Sequence, residues 1–151
     1  MQPKIPEISV DQPARILTIA GSDSGGGAGI QADIRSITML GGHALTAITS
    51  LTAQNTQGVS AIDVVSPQMV IAQIDAVVTD IGVSAIKIGM IGSGEVAVAV
   101  ADYLEKIPNI PVVLDPVMVA TSGSALADKK TIQAFDRLMY RADLITPNIP
   151  E

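Results

Sequence analysis

Cysteine is absent from all 151 residues. Its absence removes disulfides, thiolate metal sites and a cysteine nucleophile from the chemistry available to the chain, and fits a reducing cytoplasm. Long apolar runs are missing as well. Hydrophobic residues make up 48% of the sequence, yet they fall in short, punctuated runs below the about 18 consecutive residues of a spanning helix, so a membrane partner is not expected. The opening stretch MQPKIPEISVDQP has no basic region followed by an apolar core, so no secretory signal is visible and residues 1–13 read as a flexible, proline-containing leader. Basic charge is scarce: 9 Lys and Arg against 15 Asp and Glu give a net charge of −6. That balance argues against nucleic acid as the main partner, because phosphate backbones need a basic face. A small phosphate can still be held by backbone N–H groups.

What is present is an alternation of short β-rich runs with amphipathic stretches of helical length. This order predicts an α/β fold, a mainly parallel sheet with helices on both faces. The first strand covers Ile16 to Ala20 and is followed by GSDSGGGAG, with five glycines in nine residues. A helix is expected from about Gly29 to Leu40, with Ile30, Ile34 and Ile37 on its buried face and Gly41 as the stop. Residues 43–54 alternate in the strand manner, and 59–65 form a second β-like run that could be a side excursion. Ser66 and Pro67 are the N-cap and first residue of a helix closed near Gly82. SAIKIG is the next strand, Ser93 opens a helix through about Ile107, VVLDPV is a strand, a helix runs from about Asp128 to Arg141, and DLITPN is the last strand.

In such a sheet, ligands bind outside the carboxyl ends of the strands. Polar and glycine-rich residues gather at those ends, at 21–29, 54–55, 89–94, 115–124 and 148–151. Asp115 stands out because it interrupts an apolar strand, and a buried carboxylate is costly unless paired, hydrogen-bonded or close to a cation. The glycine-rich stretch is not a P-loop, since no Gly-Lys-Ser/Thr follows it. GAGIQA at 27–32 is a formal but poor dinucleotide match: it starts six residues after the predicted strand, and no Asp or Glu occurs from Ile34 to Ile62 to bind a ribose. Asp33, next to Arg35, is either a ligand-facing carboxylate or a solvated charge on a helix surface. His43, the single histidine, reads as structural or exposed.

TIAGSDSGGGAGIQAD, TSLTAQNT, IKIGM, LDPVMVATSG and LITPNIPE, in that order and rough spacing, resemble the bacterial hydroxymethylpyrimidine and phosphomethylpyrimidine kinases of thiamine biosynthesis, members of the ribokinase-like superfamily. The resemblance spans Ala14 to Glu151. It implies ATP-dependent phosphorylation of the hydroxymethyl oxygen of a pyrimidine, and in many members of its monophosphate, by a cytoplasmic enzyme that is commonly a homodimer. It implies a pyrimidine pocket lined by Gly21, Asp33, Gln54, Met90 and Val117. Asn148 and Glu151, as the Asn-x-x-Glu element, and Asp115 would hold Mg²⁺ and its waters beside the nucleotide phosphates. In that family the anion hole, the base that activates the acceptor hydroxyl and much of the adenine pocket belong to the C-terminal half, so no catalytic residue is assigned within residues 1–151. The expectation is an N-terminal piece of one kinase domain, 14–151, that binds pyrimidine weakly and turns over little alone. The competing expectations are a pyridoxal or pyridoxine kinase and a non-catalytic ligand-binding remnant.

Overall fold

The computed structural model describes residues 3–6, 12–117 and 129–149. Six strands form one sheet in the order β3-β2-β1-β4-β5-β6. In chain order, β1 (Arg15–Asp23) leads through α1 (Gly29–Met39) to β2 (His43–Asn55), which turns back into β3 (Gly58–Val64). Then α2 (Pro67–Asp80), β4 (Ala85–Ile88), α3 (Gly94–Leu104), β5 (Val112–Leu114), α4 (Lys129–Arg141) and β6 (Leu144–Ile145) follow. All neighbouring strands run parallel except the edge pair β2 and β3, so the expected mainly parallel sheet and the side excursion are both present.

The chain steps from β1 to β2 in one direction and then to β4 on the other side of β1. Right-handed crossovers taken in opposite directions lie on opposite faces of a sheet. Side chains record this division. Leu17 and Ile19 point into the main core with Val70, Ile74 and Val78 of α2, Val96, Val100 and Leu104 of α3, and Phe135 and Leu138 of α4. Thr18, between them, points the other way and hydrogen-bonds to Asp33 of α1. The strands reverse their crossover direction at β1 and β4, which opens a crevice at the carboxyl ends of those two strands.

Capping follows the sequence. The Ser66 and Ser93 hydroxyls accept hydrogen bonds from the N–H groups of Met69 and Val96, and Pro67 is the first residue of α2. Several boundaries differ. β1 continues through Asp23, three residues into the glycine-rich stretch, because its ladder with β2 resumes there with Ser22 opposite Leu51 and Asp23 opposite Thr52; the Gln31 side chain of α1 also accepts from the Asp23 N–H at 2.9 Å and donates to the Ser22 hydroxyl at 2.7 Å. α3 stops at Leu104, short of Ile107, and passes into a turn in which Lys106 and Ile107 donate to the carbonyls of Tyr103 and Leu104. The buried face predicted for α1 is narrower than expected: Ile30 is buried, whereas Ile34 is 37% exposed. The physical reason is that α1 stands on its side of the sheet packing chiefly on β1 and β2, with no second helix among the described elements to cover it. Ile5, within the stretch read as a leader, is partly buried against the main core.

α2 and α3 are joined by one polar contact in an apolar setting. The Tyr103 hydroxyl donates to the Asp75 carboxylate at 2.9 Å. Burial, reinforced by that bond and by the negative charge, pushes the Tyr103 phenol well above its ordinary value. Because the folded-state value is raised, this contribution to stability is complete below the ordinary phenol range and is lost as the pH climbs through the raised value. Tyr103→Phe is expected to cost about 0.5–1.5 kcal/mol at neutral pH. Urea denaturation followed across alkaline pH should also show a shallower loss of stability in the variant than in the wild type.

Candidate functional site

The exits of the parallel strands surround a cleft of about 630 Å³. Each side chain reaches it from a different element. Gly21 comes from the end of β1, Asp33 from the second turn of α1, Gln54 from the end of β2, Met90 from just after β4, Asp115 and Val117 from the exit of β5, and Asn148 from just after β6. Seven of the eight residues expected at a site therefore line one cleft. The eighth, Glu151, lies outside the described residues, as does the Gly/Ser segment at 118–128.

The glycine-rich segment is organised by its own aspartate. Asp23 is buried, and its two carboxylate oxygens accept from the N–H groups of Gly25 at 2.8 Å, Gly27 at 2.9 Å and Ala28 at 2.8 Å. Those N–H groups were the natural candidates to approach a ligand, and they are committed internally instead, the carboxylate occupying the position an external anion takes in a phosphate loop. Ser24 ties the segment to β2 by donating to the Gln54 carbonyl and accepting from the Gln54 N–H, both at 2.8 Å. Glycine is required by contact at one point in particular. At Gly29, φ is +56°, and a β-carbon there would lie 2.3 Å from the Gly21 carbonyl oxygen.

Asp33 is not a solvated surface charge. It and Arg35 diverge: Arg35 reaches back to the Gly26 carbonyl, while Asp33 turns toward the sheet. Its Oδ2 accepts from the Thr18 hydroxyl at 2.5 Å and pairs with Lys87 Nζ at 3.1 Å. Lys87 also stands 3.9 Å from Asp115; β5 ends at Leu114, short of the strand expected through Val117, so Asp115 does not interrupt a strand but lies just past its end with a cation nearby. Among the described residues lining the cleft, Lys87 is the one cationic side chain, set among Asp23, Asp33 and Asp115. Sequence reasoning missed it. The available signal was a charged residue inside the apolar run SAIKIG: Lys87 pairs in register with Thr18 of β1, a relation that depends on strand order.

Gln54 presents one half of its amide to the cleft. Its Oε1 shares the single Thr52 hydroxyl proton, at 3.2 Å, with the nearer Ser22 carbonyl at 3.0 Å, and its Nε2 has no hydrogen bond among the described residues, which leaves two donors. Asp33 Oδ1 likewise accepts no hydrogen bond among the described residues. The cleft thus offers an acceptor-only carboxylate oxygen, a pair of amide donors and the apolar surfaces of Met90 and Val117. Those features suit a flat heteroaromatic ring with polar edges. His43, by contrast, is exposed at the amino end of β2, away from these exits.

Among the described residues, no helix is long and apolar enough to cross a membrane. Comparison with known proteins places the architecture. The chain is 51% identical over 137 residues to a thiamine biosynthesis bifunctional protein of Geobacter sulfurreducens, covering 90% of this chain and 28% of that protein. It is 48% identical to the hydroxymethylpyrimidine/phosphomethylpyrimidine kinase of Haemophilus influenzae, covering 91% of this chain and 51% of that one. The crystal structure of a phosphomethylpyrimidine kinase from Clostridium difficile superposes with a TM-score of 0.85 at 42% identity, covering 91% of this chain and 60% of the other. A pyridoxal kinase from Staphylococcus aureus, in complex with AMP-PCP and pyridoxal, superposes at 0.76 with 30% identity, covering 91% and 49%. The chain spans about half the length of the monofunctional relatives it matches. The family model for phosphomethylpyrimidine kinase matches residues 23–151, from the aspartate that closes the glycine-rich loop through every later strand exit of the cleft, and on that match the chain belongs to the phosphomethylpyrimidine kinase family.

Proposed function

We propose that this cleft is the acceptor half of a kinase site that phosphorylates 4-amino-5-hydroxymethyl-2-methylpyrimidine, and its monophosphate, with ATP. The observation that carries the reading is the convergence of Gly21, Asp33, Gln54, Met90 and Val117, drawn from separate crossover units, on one cleft at the reversal of crossover direction. In this reading Met90 and Val117 flank the ring, the Gln54 Nε2 donors meet a ring nitrogen, and Asp33 Oδ1 accepts from the exocyclic amino group. Lys87 and Thr18 hold Asp33 in place through its other oxygen. That arrangement favours a ring edge that donates, as the aminopyrimidine does, over one that carries only an acceptor or an oxyanion at the same place.

Asp115 and Asn148 line the same cleft on the β5 and β6 side. One carboxylate and one amide oxygen suit Mg²⁺, which keeps several waters and uses one or two protein carboxylates alongside substrate phosphates. Glu151 would complete the set. When bound, the metal would offset charge on the transferring phosphoryl group. The described residues contribute orientation of the acceptor and a rim of oxygen donors, and the proposed division leaves activation of the acceptor hydroxyl to the C-terminal half of a full-length kinase.

The second reading, a pyridoxal kinase, draws on the pyridoxal-bound Staphylococcus aureus structure. Calorimetric titration of the chain with the hydroxymethylpyrimidine and with pyridoxal separates the two. So does ATP-dependent phosphorylation of both by the chain completed with the C-terminal half of the Haemophilus influenzae relative. Tighter binding and faster turnover of the pyrimidine are expected; preference for pyridoxal, or binding of neither, would overturn the proposal.

Lys87→Met removes the cation between Asp33 and Asp115, each no more than 29% exposed. The pair lies between the exposed and the buried extremes, so a loss of roughly 1–3 kcal/mol is expected in urea denaturation. Pyrimidine affinity should fall with it. Lys87→Arg, which keeps the charge, should recover part of both, and equal affinity in all three proteins would remove Lys87 from the positioning of Asp33.

A further inference from the structure

The ladder between β1 and β2 slips where the cleft begins. Ala20 pairs with Ile48 but Ser22 pairs with Leu51, so Thr49 and Ser50 together face the single residue Gly21. A bulge of this kind re-aims side chains and recurs next to active sites. The alternating burial of β2 breaks at this point, with Thr49 and Ser50 both fully buried.

The neighbouring hydroxyls on the strand are satisfied. Thr49 donates to the Met90 carbonyl at 2.6 Å, and Thr52 donates to the Ser22 carbonyl at 3.0 Å. Ser50 Oγ is buried with no hydrogen-bond partner among the described residues. An unpartnered buried hydroxyl lowers stability and calls for an explanation. Its position supplies one. A β-carbon built on Gly21 would lie 2.8 Å from Ser50 Oγ and 2.4 Å from Met90 Cε. Gly21 and Met90 both line the cleft, and Ser50 stands directly behind them. The side chain Gly21 lacks is what would separate this hydroxyl from the cleft, and Met90, an unbranched thioether chain, is able to move aside.

We infer that Ser50 is a ligand-contacting, specificity-determining residue of this cleft, its hydroxyl meeting a polar edge atom of a heteroaromatic ring once Met90 shifts. The inference rests on the pyrimidine reading above. A hydroxyl both donates and accepts, so it matches a ring nitrogen or an amino group and discriminates against an apolar edge at the same place.

The test is calorimetric titration of 4-amino-5-hydroxymethyl-2-methylpyrimidine into the wild-type chain, Ser50→Ala and Ser50→Cys, with the melting temperature of each protein measured without ligand. Ser50→Ala should bind on the order of tenfold more weakly, because a buried polar atom of the ligand loses its partner, while its melting temperature stays level or rises. A purely structural hydroxyl would move stability and leave affinity alone. Ser50→Cys keeps the side chain's bulk with a much weaker hydrogen bond, so it should also bind more weakly, and it carries the test if the alanine variant does not fold. Equal affinity in the wild type and the folded variants overturns the inference and leaves the pyrimidine reading standing. Failure of the wild type to bind overturns that reading, and this inference with it.

Discussion

Lys87 stands on a four-residue strand in register with Thr18, between the core residues Ile86 and Ile88, and reaches Asp33 at 3.1 Å and Asp115 at 3.9 Å. Much of the cleft depends on that charge. Without it, carboxylates from α1 and from the exit of β5 would share a partly desolvated crevice without the cation that stands near both, and like charges repel. With it, three elements separated in sequence are brought to one point: α1 is drawn onto its otherwise thinly covered face of the sheet, and the exit of β5 is tied to β4. The same contact fixes the chemistry on offer, because Asp33 spends one oxygen on Thr18 and Lys87 and keeps the other as an acceptor.

The glycine-rich loop follows a related logic. An anion-binding loop aims successive N–H groups at an external phosphate; here Asp23 fills that role from within the chain, taking the N–H groups of Gly25, Gly27 and Ala28. The loop is therefore a wall of the cleft in which the N–H groups of Gly25, Gly27 and Ala28 are already used, and the close approach of Gly29 to the Gly21 carbonyl packs its base. In the proposed reading this strand exit faces a neutral ring, and the phosphates lie on the other side of the cleft, which Asp115 and Asn148 line.

Most of the fold was legible because its signals are local. Ser66 followed by Pro67 announces the start of α2, and the clustering of polar residues at strand exits places the rim. The placement of Asp33, Gln54 and Met90 in one cleft was reached through family motifs, since nothing within a few residues of Asp33 distinguishes it from a surface charge. What escaped was set by contacts distant in sequence. Lys87 meets Asp33 across 54 positions, pairing with β2 extends β1 beyond its apolar run, and the slip at Gly21 that buries both Thr49 and Ser50 is a property of two strands in register, invisible in either one. Ile34 was misplaced for the converse reason: its spacing is right for a buried face, but burial also needs a partner, and among the described elements α1 packs chiefly on β1 and β2 beneath it.

In the proposed reading, the order of the strands separates two tasks of the cleft. β2, β1 and β4 contribute Gln54, Gly21 and Met90, the surfaces suited to a ring, whereas β5 and β6 lead to Asp115 and Asn148, the oxygen donors suited to a metal and phosphates. Phosphoryl transfer needs these two sides held at a fixed separation, because catalysis there is largely positioning and charge compensation. In this sheet the separation is set by β4, which pairs with β1 on one side and β5 on the other. Lys87 is the β4 residue that touches a carboxylate from each side, so the strand that spaces the two halves of the cleft also carries the charge that links them.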